Sequence, residues 1–531
     1  MNQLNEAENR HSTTRGEAVN AMNQRIEGFV KKFCGYPMSR LKFLAMCLFF
    51  VSLADTTVAR TSASTDPERP NILFIGIDDL RPALGCYGDT LAKSPNIDQF
   101  AKTARQFNRA YVQQSVCGPS RTAVFTGLLP DHTQVWHNRN RFRETLPDHI
   151  TLPQLFKQNG YRTLGFGKVF SGNEMELDPI SWSAPETLRQ KGWKNYVLPH
   201  NHGKEKKQAA YEVADVADDA YPDGKLADLA VKTLQDLKKD GEPFFLTVGF
   251  FKPHLPFNAP QKYWDLHDRS AFALPQHLRE PVKLSPEIAL HSHRELGGYV
   301  GVPKNEDLNA EQSQILRHGY YACVSYIDAQ VGKVLDALKR LELEQNTIVV
   351  IWGDHGFTLG ETNRWCKATN FEIDTRVPLL IRTPDLNNAG VATDSLIEMI
   401  DLYPTLAAVA GLEVSENLDG RSFLTLLQDP NSPGRDMVLS QFNRPWTSTK
   451  PESMGYSIRT QSARYTRWID WQSRKTHAEE LYDYSTPQAA TPHAGHLIEQ
   501  KNLATIQSDL LERMRKQMDE LFVSRLKVPT N

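Results

Sequence analysis

The sequence predicts an α/β protein: a large mixed, mostly parallel sheet sandwiched by helices, followed by a small C-terminal antiparallel α+β subdomain. Three observations predict it. Short apolar, β-branched runs alternate with longer amphipathic stretches from about residue 66 onward. Three of those runs end in ionisable residues, as strands do where an open α/β sheet builds a site. Beyond residue 435 the alternation gives way to short strand-like runs and one charged amphipathic helix.

The N-terminal segment stands apart from this pattern. Residues 1–42 are polar and carry Lys31, Lys32, Arg40 and Lys42, and an apolar run from Phe43 to Leu53 follows. That run is too short for a bilayer, which takes roughly 20 apolar residues, and suits the apolar core of a signal peptide. Ser52-Leu53-Ala54 supplies a small-x-small cleavage site. Residues 1–60 are therefore predicted to be a signal peptide with a long n-region and a linker, 66–435 the main domain and 436–531 the C-terminal subdomain. The mature chain is expected on the exported side, periplasmic or extracellular, or in a lysosome-like compartment of a eukaryotic cell, with no stable membrane insertion.

Lys plus Arg (61) nearly balances Asp plus Glu (63), so no global field recruits nucleic acid or an anionic membrane. Of six cysteines, Cys34 and Cys47 fall in the segment expected to be removed. Cys86, Cys117, Cys323 and Cys366 remain, too few for a disulfide framework in a chain of this length.

In chain order, the first predicted strand is Asn71–Ile77, ending in Asp78-Asp79. The second is Phe244–Phe250, leading to Lys252-Pro253-His254. The third is Thr347–Gly353, ending in Asp354-His355-Gly356. Between the last two, residues 312–341 place Ile315, Tyr320, Val324, Ile327, Val331, Val334 and Leu338 at three-to-four spacing, a helix packed on the sheet. Another helix runs to Ala410. Strand-like runs at 456–460, 463–471 and 480–484 and a helix near 500–522 form the C-terminal unit. The ionisable residues thus converge on one edge of one sheet.

Residues 115–127 read Ser-Val-Cys-Gly-Pro-Ser-Arg-Thr-Ala-Val-Phe-Thr-Gly. Pro119 suits the first turn of a helix, so Cys117 is predicted at a helix N-terminus, where free N–H groups and the dipole favour an anion. Arg121 then lies one turn along on the same face. By itself this cysteine reads either as a low-pKa thiol or as a packed residue.

Cys117-Gly118-Pro119-Ser120-Arg121, followed by Thr126-Gly127, resembles the signature of the sulfatase family, whose fold is alkaline phosphatase-like. Further stretches resemble it over nearly all of 70–531: Asp78-Asp79-Leu80-Arg81-Pro82, Ser94-Pro95-Asn96-Ile97-Asp98, Gly167-Lys168-Val169-Phe170, Lys252-Pro253-His254, Asp354-His355-Gly356 and Leu481-Tyr482-Asp483. The wording is nearest the iduronate-2-sulfatase-like branch. The resemblance implies sulfate-ester hydrolysis by a formylglycine made from Cys117, installed by a formylglycine-generating enzyme during maturation. It implies one divalent cation held by Asp78, Asp79, Asp354, His355 and residue 117. Three carboxylates are hard ligands that suit calcium, the family's usual ion, or magnesium. It also implies that Lys168, His254 and Lys367 grip the sulfate and assist the leaving oxygen, and that Arg121 holds the formylglycine hydrate. The implied substrate is a sulfate ester, such as a sulfated glycan.

Three positions depart from the branch. Ser171 stands where it carries histidine, and Thr362 and Ala368 replace larger side chains expected near the pocket mouth. These departures predict a preference for small or differently shaped sulfate esters over iduronate 2-sulfate. Two other readings stay open on sequence: a phosphate or phosphonate monoester hydrolase of the same superfamily, and a non-catalytic binder of sulfated glycans.

Overall fold

The computed structural model describes residues 69–526 apart from 171–177, 186–194, 204–207, 291–294, 305, 415–416 and 486–498. The expected signal segment 1–60 and Ser171 lie outside the described residues.

Strand β1 (Asn71–Ile77) is buried along its whole length. Its side chains alternate between two cores, as the period of a strand requires. Leu73, Ile75 and Ile77 enter one core with Leu226, Ala230 and Leu234 of the helix Pro222–Asp240 and Tyr320, Val324, Ile327 and Val331 of the helix Ala310–Arg340. Ile72 and Phe74 enter the other with Val124 and Phe125 of the helix Cys117–Thr126, Phe156 of the helix Leu152–Gln158 and Leu406 of the helix Leu402–Val409. Helices therefore cover both faces, which is why the central strands read as unbroken apolar runs.

The remaining strands of this sheet are β2 (Arg105–Tyr111), β3 (Arg162–Gly167), β4 (Phe244–Phe250), β5 (Thr347–Gly353), β6 (Arg376–Arg382), β7 (Ala392–Thr393) and β8 (Ile397–Glu398). Their order is β7-β2-β6-β5-β1-β4-β3, with β8 also pairing β2. β1 pairs parallel with β4 and β5, and β3 with β4. β6 alone runs antiparallel to its neighbours β2 and β5, so the sheet is mixed and mostly parallel, as expected.

A second sheet, β9 (Met437–Arg444), β10 (Ser453–Thr460), β11 (Ala463–Asp470) and β12 (Thr476–Asp483), is an antiparallel meander. The helix Ser508–Leu521 lays Leu511, Met514, Met518 and Leu521 against Tyr456, Ile458, Tyr465 and Leu481. β9 escapes the sequence reading because Ser440, Gln441 and Asn443 look like loop. They are nevertheless buried, since Ser440 Oγ donates to the Val112 carbonyl and Gln441 N to the Gln113 carbonyl. No helix among the described residues is long and apolar enough to cross a membrane, and the four cysteines described are free thiols.

Candidate active site

The parallel strands β1, β3, β4 and β5 deliver their carboxyl ends to one place. Asp78 and Asp79 follow β1, Lys168 follows β3, Lys252 and His254 follow β4, and Asp354 and His355 follow β5. β3 and β4 approach closely because Gly167 (φ +69°) and Gly249 face one another. A Cβ on Gly167 would collide with the Gly249 carbonyl, and one on Gly249 with the carbonyl of Lys168.

Cys117 is the first residue of its helix, after the extended Val116. No side chain of Val116 caps this end, and Gly118 N donates instead to Asn138 Oδ1 at 2.8 Å. The expected helix start is therefore where the sequence puts it. The thiol sits 3.4 Å from Asp78 Oδ1, 3.2 Å from His355 Nε2 and 3.2 Å from Lys168 Nζ. Burial first, and then the Asp78 carboxylate, push this thiol well above its usual pKa, so it is protonated at neutral pH and a poor nucleophile as cysteine.

Arg121, one turn along, donates through Nε to Asp354 Oδ2 at 2.8 Å. Its Nη1 bonds the Lys168 carbonyl, and its guanidinium lies over the Trp352 ring. Nη2 is buried without a hydrogen-bond partner, 3.8 Å from Asp78 Oδ1. Burial alone would raise the Asp354 carboxyl, but Arg121 and His355 hold it well below the usual carboxylate range. Burial likewise opposes the charge on Lys168 and Lys367, yet Asp78 keeps the first ammonium and Asp79 and Glu295 the second above the ordinary lysine value.

Lys367 Nζ donates to both Asp79 oxygens, at 2.9 and 3.0 Å. The turn that presents it is strained: Thr362, Asn363, Cys366 and Ala368 all adopt positive φ, a cost found where geometry is fixed for function. Thr362 and Ala368, expected near the pocket mouth, are buried. The Thr362 hydroxyl accepts from Arg364 Nε at 2.9 Å, and Ala368 packs with Val116 and Phe442.

Asp78, Asp79, Cys117, Arg121, Lys168, His254, Asp354, His355 and Lys367 thus reach the same buried region. Ligand atoms of Asp78, Cys117, Asp354 and His355 lie within 4.8 Å of one another, and so do those of Asp78, Asp79 and His254. Asp79 joins the first group through its own N–H, 3.0 Å from Asp354 Oδ1, and its Oδ1, 3.4 Å from His355 Nε2. Three buried carboxylates and one imidazole are a ligand set that fits a hard divalent cation, and the unpartnered Arg121 Nη2 is a hydrogen-bond donor for an oxygen nearby. Two participants were given no role in the sequence reading. Lys252 donates to the carbonyls of His254 (2.9 Å) and Pro256 (2.7 Å), fixing the turn that carries His254; its neighbourhood in Lys-Pro-His was the available signal. Glu295 contacts His254 and Lys367, and nothing in its surrounding sequence marks it.

A buried cluster of carboxylates, ammonium groups and a guanidinium at the carboxyl ends of a mostly parallel sheet suits a charged substrate group. The comparisons give its family. The sulfatase family model matches residues 70–412, and the model of the C-terminal part of N-sulphoglucosamine sulphohydrolase matches 360–520. Iduronate 2-sulfatase of Mus musculus is 34% identical over 521 residues, covering 84% of this chain and 94% of the relative. Choline-sulfatase of Rhizobium meliloti (strain 1021) is 29% identical over 365 residues, covering 66% and 69%. Among solved structures, one in complex with its substrate D-glucosamine-2-N,6-O-disulfate superposes with a TM-score of 0.66 at 22% identity, covering 85% of this chain and 97% of that one. The phosphonate monoester hydrolase of Silicibacter pomeroyi superposes at 0.68 and 21% identity, covering 86% and 96%. The chain belongs to the sulfatase family and is a sulfuric ester hydrolase with the alkaline phosphatase-like fold.

Proposed function

We propose that this chain cleaves sulfate esters, of the sulfated-glycan kind its relatives' names indicate, with a formylglycine at position 117 and one divalent cation, calcium or magnesium. Asp78, Asp79, Asp354, His355 and residue 117 would hold the cation. The two groups together supply a hydrated aldehyde whose hydroxyl can attack sulfur and a charge that favours its deprotonation.

The chain's own residues do the rest. Arg121 Nη2, buried, without a hydrogen-bond partner and 3.8 Å from Asp78 Oδ1, is the donor that would hold a hydroxyl at position 117. Lys168 Nζ, 3.2 Å from the Cys117 sulfur, and Lys367 Nζ stabilise the sulfuryl and leaving oxygens. Each preorganised donor of this kind is worth about 3–4 kcal/mol. His254 gives a proton to the departing alcohol. Because the side chains at the centre are almost wholly buried, water does not screen these charges. Export of the mature chain, and contact with a formylglycine-generating enzyme during maturation, belong to the same reading.

The observation that carries it is the Cys117 side chain, buried at a helix start within 3.4 Å of Asp78, His355 and Lys168. The test is peptide mass analysis of position 117 together with the Cys117→Ala variant. Conversion of the thiol to an aldehyde, and a loss of turnover by several orders of magnitude in the folded variant, are expected. An unmodified cysteine in the active protein, or activity of Cys117→Ala within tenfold of wild type, would overturn it.

A further inference from the structure

Glu295 lies outward of the buried centre, with its side chain about one-fifth exposed, while those of Lys367 and His254 are below one-tenth. Its Oε1 is 3.2 Å from His254 Nε2, and its Oε2 is 3.1 Å from Lys367 Nζ. One carboxylate therefore bridges the two groups that the proposed reaction assigns to the leaving oxygen. The other nitrogen of the imidazole, Nδ1, points at the Leu255 carbonyl, 2.5 Å away. Both ring nitrogens thus face oxygen atoms, which fix the plane of the ring. Lys367 is likewise held from two sides, by Asp79 within and Glu295 without.

From this geometry we propose that Glu295 is a positioning residue for leaving-group departure. It sets the His254 ring and the Lys367 ammonium side by side and offsets the repulsion between the two donors. The inference rests on His254 being the proton donor of the proposed reaction. As the sulfur–oxygen bond breaks, its electron pair goes to the ester oxygen. That oxygen takes the Nε2 proton, and the imidazole is left neutral beside Glu295. Without the carboxylate, the ring would lose the partner that orients Nε2, and Lys367 the contact on its outer side.

A positioning role of this kind predicts dependence on the leaving group, because a nitrophenolate departs with little protonation whereas an alkoxide does not. Glu295→Gln, Glu295→Asp and His254→Ala are to be compared with wild type, in the metal-loaded and modified protein, on nitrophenyl sulfate and on a simple alkyl sulfate. Melting temperatures report folding. Glu295→Gln is expected to lose at least tenfold more kcat/KM on the alkyl ester than on the aryl ester, mainly in kcat, with His254→Ala showing the same bias and Glu295→Asp recovering part of it. If His254→Ala is biased and Glu295→Gln loses equally on both esters, Glu295 is merely structural and the proposal falls alone. If His254→Ala shows no bias, the assignment of the proton donor falls, and the role of Glu295 with it.

Discussion

Replacing Arg121 by methionine would test how one buried guanidinium serves both fold and reaction. Its Nε donates to Asp354 Oδ2 at 2.8 Å, its Nη1 bonds the Lys168 carbonyl, and its Nη2, 3.8 Å from Asp78 Oδ1, has no hydrogen-bond partner. Methionine would keep the packing against Trp352 and remove every donor. Asp354, wholly buried, would lose its principal counter-charge, and breaking a buried pair from one side costs about 3–5 kcal/mol of stability. Loss of the Nη2 donor should cost a further ~3–4 kcal/mol of transition-state stabilisation, a factor of about a hundred to a thousand in kcat. KM should change less, because the donor acts on residue 117 and not on the substrate in its ground state. Arg121→Lys should restore stability better than rate, since one ammonium cannot occupy three diverging positions. The assay is kcat and KM on nitrophenyl sulfate, with thermal melting on the same samples. A methionine variant that melts like wild type and keeps kcat within tenfold would refute both the buried-pair and the donor argument.

Three other outcomes are expected. Asp354→Asn should lower bound divalent ion, measured by elemental analysis, together with activity, and high calcium should restore part of it; unchanged activity after exhaustive chelation would contradict a cation site here. Burial, and then the neighbouring His318, hold the His267 ring down to about 4, whereas the unfolded chain protonates it near 6.5. Between those values the unfolded state binds more protons, so this group's contribution to stability is present above pH 6.5 and is lost as the pH falls toward 4. His267→Gln should flatten that part of the melting profile, and an unaltered slope would count against it. Finally, the wild type should be poor on an iduronate-2-sulfate disaccharide relative to an aryl sulfate and Ser171→His should narrow the gap; efficient wild-type cleavage of the disaccharide, unaffected by the substitution, would show that position 171 does not set preference.

The sheet was legible because its central strands are buried on both faces and so advertise themselves as apolar runs, each closed by the charged residues that become the site. Asp78 and Asp354 follow such runs directly, whereas Lys168 follows β3, Arg-Thr-Leu-Gly-Phe-Gly, which is no unbroken apolar run and was marked only by its resemblance to the family. Cys117 and Arg121 were legible as a helix start, since Pro119 and the helical period place them on one face. β9 was not, because its polar side chains are satisfied by the 112–113 segment far away in sequence, and no local pattern encodes that. Glu295 was invisible for the same reason: it meets His254 and Lys367 across 41 and 72 positions.

Thr362 and Ala368 show where reading side-chain size from sequence fails. Smaller residues at these positions suggested a wider pocket mouth, on the assumption that both point outward. Instead the backbone there turns through positive φ, which directs the Thr362 hydroxyl toward Arg364 and packs Ala368 beneath Phe442. Arg364 in turn donates to Thr369 Oγ1 at 3.0 Å and lies over the Phe371 ring, so Thr362 belongs to the bracing of the segment that carries Lys367. A left-handed turn of non-glycine residues persists only when its surroundings over-determine it, and this bracing supplies that constraint. The small side chains at 362 and 368 are therefore accounted for by how Lys367 is presented to Asp79 and Glu295, and substrate preference has to be sought among residues that face the ester itself.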